Sequence, residues 1–312
     1  MFRLTRPRLA VFVLSLAMLT CIALFGGFFA REVVAEIAIL AILVIALDVA
    51  AGFGGMVSLG HGAIMGVGAY GFGLACQSGI AAWPAAGIGI AAAALTGGMI
   101  GTVAIRAQGI FFIMVTLAFG QMIWTVTHTA TWTGGDDGMS GLPRLPLPLI
   151  DPGDPRTFAL LALAVLAAVF LIAAALLCSP FGRALQAVHE NPLRAAAIGF
   201  PVQRLRIAAF TLSSAIAGIA GVIMAQHMQF ISPTMMVWTA SGEALVVLIL
   251  GGIGTLVGPI IGAMAYVGLK YWASGWTDHW HILIGVLLIA VVMAGGRGLF
   301  GQAENAWRHA DR

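Results

Sequence analysis

Five ionisable side chains lie in or beside long apolar stretches of this sequence: Glu36, Asp48, His61, His227 and Glu243. If those stretches span a bilayer, an ionised side chain near its centre costs about 2.5–3.5 kcal/mol or more, so it must face a polar interior or hold a partner. Glu36 lies close to other charged residues and is expected to reach the membrane surface. Asp48 and Glu243 each precede a glycine-rich break, and with His61 they are predicted to line a polar interior or to hold the broken backbone.

The two glycine-rich breaks share the pattern GGxx[ST]L, which begins at Gly54 in the first and at Gly251 in the second. Ser58 and Thr255 take the hydroxyl position, and an acid stands six to eight residues upstream of each break. Matching glycine interruptions in two halves of a chain indicate a transporter's pathway. Six residues also match by chance, so an ancestral repeat and a coincidence both stay open. The predicted pathway residues are Asp48, Ser58, His61, Glu243 and Thr255.

No set of residues is arranged for catalysis. The patterns HExxH, GxSxG and CxxC are absent, and the histidines are scattered along the chain. The chain has a single lysine, Lys270, in the context LKYW, whereas a Walker A loop needs GxxxxGK[ST] to hold phosphates. We therefore predict no catalytic residue, metal or cofactor in this chain, and we place any ATP and magnesium that drive it on separate ATPase chains.

The composition is that of a polytopic membrane protein. Of 312 residues, 61% are hydrophobic and only 9% are charged, whereas soluble domains carry roughly 25% charged residues. We predict an all-α fold of about ten transmembrane helices, some short or broken, because open strands cannot satisfy their backbone in lipid. The apolar segments span about 9–30, 33–51, 62–82, 85–105, 107–130, 158–178, 207–229, 237–251, 256–272 and 280–295.

The arginines predict the orientation of these segments. Cytoplasmic loops carry an excess of arginine and lysine. With ten crossings, all the arginines fall on one side of the membrane except Arg31 and those in residues 132–157. Both termini are then cytoplasmic. The segment 237–251 is short enough to be a half-helix, in which case the parity would fail. The side-determining arginines are Arg3, Arg6, Arg8, Arg106, the four in residues 179–206, Arg297, Arg308 and Arg312.

Residues 132–157 form the longest acidic connection and are predicted to face the outer side. They contain GGDDG and several prolines, which specify turns and extended chain. Asp136 and Asp137 belong either to a solvated turn or to a docking surface for an extracytoplasmic partner.

Residues 179–206 form the main basic connection. Ser179 and Pro180 have the order of an N-cap and first helical residue, and Asn191 and Pro192 repeat it ahead of a short helix that stops at Gly199. A helix of about two turns is marginal in isolation because nucleation is costly. It is therefore either a helix received by another protein's groove or a connector that obeys the positive-inside pattern.

The chain resembles the permease subunits of bacterial branched-chain amino acid ABC importers, in particular their LivM-type branch. The matching strings cover most of the chain in the family's order. They are GFGGMVSLGHGAIMGVGAY at 52–70, GIFFIMVTLAFGQ at 109–121, TGGDDGMSGLP at 133–143, SPFGRALQAVHENPLRAAAIG at 179–199, ISPTMMVWTASGEALVVLILGGIGTLVGPIIGA at 231–263 and GRGLFG at 296–301.

This resemblance implies one permease domain over residues 1–312, similar in class to type II-like importers, in the bacterial inner membrane. It implies a second permease, two cytoplasmic ATP-binding subunits and a periplasmic binding protein as partners, with residues 132–157 as a periplasmic loop. Family members often carry an acid where this chain has Ala196. The residues expected to couple to the ATPases are Arg183, Glu190, Asn191, Pro192, Arg194, Ala195 and Gly199.

The substrate remains open among branched-chain amino acids and related small polar solutes, since related permeases also carry urea, short amides and carboxylates. A second hypothesis is an ion- or proton-coupled carrier that acts alone, with Asp48 and Glu243 as the ion sites. A membrane enzyme has almost no support because no nucleophile, metal set or acid–base pair is assembled.

Overall fold

A computed structural model describes residues 5–146, 153–276, 280–293 and 298–301. Arg3, Arg297, Arg308 and Arg312, on which the orientation partly rests, lie outside these ranges, as do residues 147–152 of the predicted outer loop. The described elements are α1 (Arg6–Phe25), α2 (Phe28–Leu47), α3 (His61–Gln77), α4 (Ala82–Ala104), α5 (Ile110–Thr129), β1 (Met139–Ser140), α6 (Pro155–Cys178), α7 (Pro180–Glu190), α8 (Pro192–Ala197), α9 (Val202–Met228), β2 (Phe230–Ile231), α10 (Trp238–Gly251), α11 (Gly258–Ser274) and α12 (Trp280–Met293).

Each of the ten predicted apolar segments overlaps one of these helices over most of its length, which confirms the all-α membrane class. In the described ranges, six helices are long and apolar enough to cross a bilayer by themselves: Pro7–Phe25, Phe28–Phe53, Ala82–Ala104, Ile110–Thr129, Pro155–Cys178 and Val202–Met228. The predicted end of the first segment at residue 30 is wrong. The helix α1 ends at Phe25, because Gly26 and Gly27 both have extended backbone. The next helix, α2, then begins five residues before its predicted start.

The helices α3, α4 and α9 pack so closely that several of their contact positions have room only for glycine. A Cβ on Gly68 of α3 would come within 2.7 Å of the Cα of Gly218 on α9. A Cβ on Gly89 of α4 would collide with the carbonyl oxygen of Gly68, and one on Gly221 of α9 would collide with the carbonyl of Met65. In lipid, small residues let backbones approach and gain van der Waals contact, so these glycines hold the three-helix core together.

The helix α10 is too short to cross a bilayer by itself. Its fourteen residues are about 21 Å long at 1.5 Å per residue, against a hydrocarbon core of about 30 Å. Its first turn lies beside the first turn of α3, since Gly62 N donates to Ser241 Oγ at 2.8 Å. The preceding chain descends through a 3₁₀ turn, Pro233–Met236, whose Met236 side chain packs against Gly66 of α3.

Contacts sort the helix ends into two groups. The end of α2, the end of α10 and residues 298–301 meet, because Asp48 bonds Gly254 and Gly298 packs on Gly252. The α7–α8 segment joins this end, which we call the break end. The opposite end holds the end of α11 and the two-stranded sheet, in which β1 of the α5–α6 connection pairs antiparallel with β2.

Candidate functional site

The two glycine-rich breaks come together in space. The first, residues 54–60, follows a π-helical turn, Asp48–Phe53, that extends α2. The second, residues 252–257, joins α10 to α11. A Cβ on Gly52 of the π-helical turn would come within 2.6 Å of the backbone nitrogen of Gly254. We call the π-helical turn and the two breaks the break junction; π-helical turns often occur at functional sites.

Asp48 ties the first half of this junction to the second. Its side chain is 0% exposed, and its carboxylate accepts hydrogen bonds from Gly254 N at 2.6 Å and from Leu256 N at 3.0 Å. Leu256 has a φ of 63°, which is uncommon for a branched side chain and persists only where the surroundings fix it. The two backbone N–H groups therefore give the buried Asp48 carboxylate its partners, and the carboxylate in turn holds the strained turn at Leu256.

The two hydroxyls of the GGxx[ST]L patterns shape the backbone that follows each break. Ser58 Oγ accepts from Gly60 N at 3.1 Å, just ahead of α3. Thr255 Oγ1 accepts from Gly258 N at 2.9 Å, at the start of α11, and donates to Gly252 O at 2.7 Å. Both side chains are buried. Both satisfy backbone groups at a helix start, and their place along a pathway stays a prediction.

His61 lies at the first turn of α3 and is buried among three helices. Its Nε2 is 2.7 Å from Ser213 Oγ of α9, which in turn donates to Ala46 O of α2 at 2.5 Å. A serine hydroxyl has one hydrogen, so the His61 Nε2–H donates to Ser213. Within the described residues His61 Nδ1 has no hydrogen-bond partner. The histidine therefore links α3 to α2 through α9, next to the π-helical turn.

Glu243 and Glu36 lie away from this buried group. Glu243 is exposed on α10, and its side chain hydrogen-bonds Tyr266 of α11. Glu36 is bound by Lys270 Nζ at 2.8 Å and by Tyr271 O–H at 2.5 Å, so the single lysine of the chain joins α11 to α2. The expectation that Glu36 reaches the membrane surface stays a prediction, and the structure adds a partner to it, since both side chains of the Glu36–Lys270 pair are partly exposed. Sequence reasoning missed this pairing because the partners are more than 230 residues apart.

The capped helices predicted in residues 179–206 are confirmed. Ser179 Oγ accepts from Gly182 N at 3.3 Å at the start of α7, and Asn191 Oδ1 accepts from Arg194 N at 2.9 Å at the start of α8. Gly199 has a φ of 94°, which favours glycine after the helix end. The amphipathic α7 buries Leu185 and Val188, so the pair is anchored to the membrane helices instead of hanging free.

The α8 surface is apolar and basic. Leu193 is 84% exposed and Ile198 is 70% exposed, beside the exposed Arg194. Ala195, by contrast, is only 3% exposed and packs inward, so it supports the surface from beneath. Of the other predicted coupling residues, Pro192 is half-buried and the exposed ones are Arg183, Glu190, Asn191 and Gly199.

His189 connects α7 to the break junction. Its ring lies so close to Gly55 that a Cβ on Gly55 would come within 2.7 Å of its Cδ2. Gly55 also has a φ of 68°, so two independent constraints require glycine here. The helix α7 is therefore in direct contact with the first break through His189. Sequence reasoning missed His189, although it directly precedes Glu190.

At the opposite end, Asp136 and Asp137 lie in an ordered and exposed turn. The Asp136 side chain is 81% exposed and its Oδ1 lies 3.3 Å from His128 Nδ1. Thr133 Oγ1 donates to Thr127 O at 2.6 Å, which fastens the turn to the end of α5. The two acids are therefore exposed on a turn that is fixed to α5, and this arrangement is compatible with both a solvated turn and a docking surface.

A cavity of about 580 Å³ lies between α3, α4 and α5. Its walls are almost wholly apolar, and its described lining includes Tyr70, Met99 and Met122 but none of the predicted pathway residues. In the described part of the chain no three His, Cys, Asp or Glu side chains come together as metal ligands would.

Comparison with known proteins places the chain among membrane transport permeases. The sequence model of the family described as branched-chain amino acid transport system, permease component, matches residues 29–292. The high-affinity branched-chain amino acid transport permease LivM of Escherichia coli K12 is 28% identical over 283 residues, covering 83% of this chain and 67% of the relative. The autoinducer 2 import permease LsrC of Klebsiella pneumoniae is 31% identical over 186 residues, covering 53% of this chain and 50% of the relative. The permease LivH of Salmonella typhimurium is 29% identical over 128 residues, covering 40% of this chain and 41% of the relative. No solved structure matches the chain significantly.

Proposed function

The chain belongs to the permease family of branched-chain amino acid transport systems, and from this we propose that it forms, with a second permease subunit, the membrane pathway of an ATP-driven importer. The substrate is a branched-chain amino acid or a related small polar solute, as the names of its LivM relatives support. Similarity to both LivM and LivH supports a partner of the same family. ATP and magnesium act on separate ATPase subunits.

The observation that carries the coupling role is the route from α8 to the break junction. The exposed Leu193, Arg194 and Ile198 form a small surface on a capped helix. From α8 the route continues through α7, whose His189 contacts Gly55 of the first break. Asp48 then links the π-helical turn to the second break through Gly254 and Leu256. Closure of the ATPases would move α7–α8 and, through this route, the helices on either side of both breaks.

The proposed sidedness follows from the same arrangement. The break end, with α7–α8, faces the cytoplasm of a bacterial cell, and residues 132–157 face the periplasm, where Asp136 and Asp137 meet a substrate-binding protein. Both termini are cytoplasmic. Residues 1–312 then act as one permease domain in the inner membrane, with Ser58, His61, Thr255 and Glu243 near the path of the solute.

An ion- or proton-coupled carrier acting alone is less well supported. The relatives of this chain are permease subunits of transport systems. Asp48, its central ion site, has both oxygens engaged by backbone N–H groups. A carboxylate in that position holds structure, and a travelling ion or proton would have to break the turn to reach it.

Acidic substitution on α8 tests the coupling role. The double variant Leu193→Asp, Arg194→Glu should lose co-purification of the ATPase subunits and ATP-driven uptake, since it removes an apolar anchor and reverses a charge. Both side chains are exposed, so the membrane yield and Tm of the chain should not change. Arg156→Glu is the matched control, because Arg156 is exposed at the opposite end. ATPase co-purification at the level of the control would exclude α8 as the coupling element.

A further inference from the structure

Arg206 is a partly buried cation whose Nε has no acceptor among the described residues. It lies in the second turn of α9, and this Nε is buried. A guanidinium is always charged and has five N–H donors, and a buried charge is costly unless it is paired. Arg144 shows the usual solution, since it donates to Gln226 O and Gly153 O and lies over the Phe158 ring. Arg206 therefore has unused capacity for an anionic oxygen.

A small polar cavity lies beside Arg206. Its volume is about 150 Å³, and its walls include Gln108 and the α4–α5 connection, with Gly55 of the first break and Phe112 of α5. At about 30 Å³ for each liquid water, this volume corresponds to roughly five waters. A phosphate or carboxylate group fits such a space, whereas a segment of folded protein does not. The cavity and the guanidinium together define a site for one small anionic group.

The surroundings favour a group that arrives from the membrane. Beside the cavity the outer face of α4 and α5 is exposed and apolar, with Val103 52%, Ile110 66% and Phe111 69% exposed. Arg106, in the connection itself, is also exposed. Basic pockets between membrane helices on the cytoplasmic side bind anionic lipid headgroups. We propose that this cavity binds the phosphate group of an anionic phospholipid of the cytoplasmic leaflet, with the acyl chains along the exposed face of α4 and α5.

The site has a consequence for transport because one of its walls is Gly55. The same glycine is in contact with His189 of α7. A bound headgroup and α7 would therefore both contact the first break at Gly55. Occupancy should stabilise one position of the break and so alter the rate of ATP-driven uptake. This consequence, and the choice of leaflet, rest on the proposed function.

Binding is tested without transport, which keeps the two proposals separable. The full chain, purified in detergent, is titrated with phosphatidylglycerol or phosphatidylcholine and read by native mass spectrometry. The wild type should retain phosphatidylglycerol about tenfold better than phosphatidylcholine, since the quaternary ammonium of phosphatidylcholine offsets the charge of its phosphate and would be repelled by Arg106 beside the cavity. Arg206→Gln should lose that preference, and Arg206→Lys should keep part of it because the charge remains.

Arg204→Gln is the matched control, because Arg204 is an exposed arginine two residues away on the same helix. Equal losses in the Arg204 and Arg206 variants, or equal retention of both lipids by the wild type, would overturn the site. Millimolar inorganic phosphate should not displace the lipid; complete displacement would assign the site to a free anion instead. Unchanged lipid retention in Arg206→Gln with loss of ATPase co-purification would assign the arginine to the protein interface and contradict the proposal.

Discussion

Asp48 concentrates the chemistry of the break junction in one side chain. A carboxylate that accepts two backbone hydrogen bonds from Gly254 and Leu256 replaces much of the water it has lost. These hydrogen bonds are strong because the carboxylate is charged, and the π-helical turn places the carboxylate next to the second break. An amide of the same shape cannot substitute, because one of its two polar ends is a donor that would face a backbone N–H.

Asp48→Asn should therefore lower the free energy of unfolding by about 2–3 kcal/mol, through one lost charge-assisted bond and one unsatisfied donor. ATP-driven uptake in proteoliposomes should fall with it. Asp154→Asn is the control. Asp154 accepts from Arg156 N at the exposed start of α6, where asparagine caps as well as aspartate does. Similar thermal melting curves for the two variants would show that Asp48 does not hold the junction.

The sequence singled out Asp48 because an acid in an apolar run is costly, but it could not identify the partner. Gly254 and Leu256 contribute only backbone N–H groups, which leave no signature in residue type. The same limit hid the contact between His189 and Gly55. The partner of Glu36 was missed for a related reason, since its distance from Lys270 in the sequence gave no sign that α11 returns beside α2.

Among the helices, α4 shows how backbone approach controls stability. Gly89 faces α3, where a Cβ would collide with Gly68 O and come within 3.0 Å of Phe72 N. Gly87, two residues earlier on the same helix, has no atom within 4 Å of its would-be Cβ. The two glycines thus share a helix and a composition but differ in what lies opposite them.

Gly89→Ala should destabilise the protein by about 1–3 kcal/mol, because the added methyl must push α3 and α4 apart. Gly87→Ala should leave the stability equal or slightly raised, since alanine restricts the unfolded chain at no steric cost. Thermal aggregation of the two detergent-solubilised variants compares them directly. Equal midpoints would mean that α3 and α4 are not in backbone contact.

The number and type of helices followed from apolar length, and their ends did not. Gly26 and Gly27 ended α1 earlier than the apolar run, because a glycine pair in extended backbone stops a helix whatever its hydropathy. The passage at α10 was left open between a full crossing and a half-helix. Its geometry depends on Met236 packing on Gly66, a tertiary contact that no local pattern encodes.

Across the whole molecule, the described contacts give a polarity with two distinct ends. One carries the break junction, α7–α8 and the Arg206 cavity; the other carries the ordered turn with Asp136 and the small sheet. The positive-inside pattern predicts that the first end is cytoplasmic, since its connections hold most of the arginines.

Single cysteines test this polarity. In a chain whose Cys21, Cys76 and Cys178 are replaced by serine or alanine, Asp137→Cys should react with a membrane-impermeant maleimide in intact spheroplasts. Glu190→Cys should react only after the membrane is broken, because the two exposed positions lie at opposite ends. Reaction of both positions in intact spheroplasts would contradict the ten-crossing arrangement.

The bond between Asp48 and Gly254 spans 206 residues, and this sets an order of assembly. At about 5–20 residues per second, the ribosome needs on the order of 10–40 s to make the second partner after the first. During that time α2 must enter the bilayer with an unsatisfied carboxylate, carried by the hydropathy of its other residues, which averages 2.7 over its most apolar window. The hydrogen bonds of Asp48 therefore form only after the last third of the chain has been made. Ribosome-bound chains that end before residue 254 should be recognised at α2 by membrane quality-control proteases.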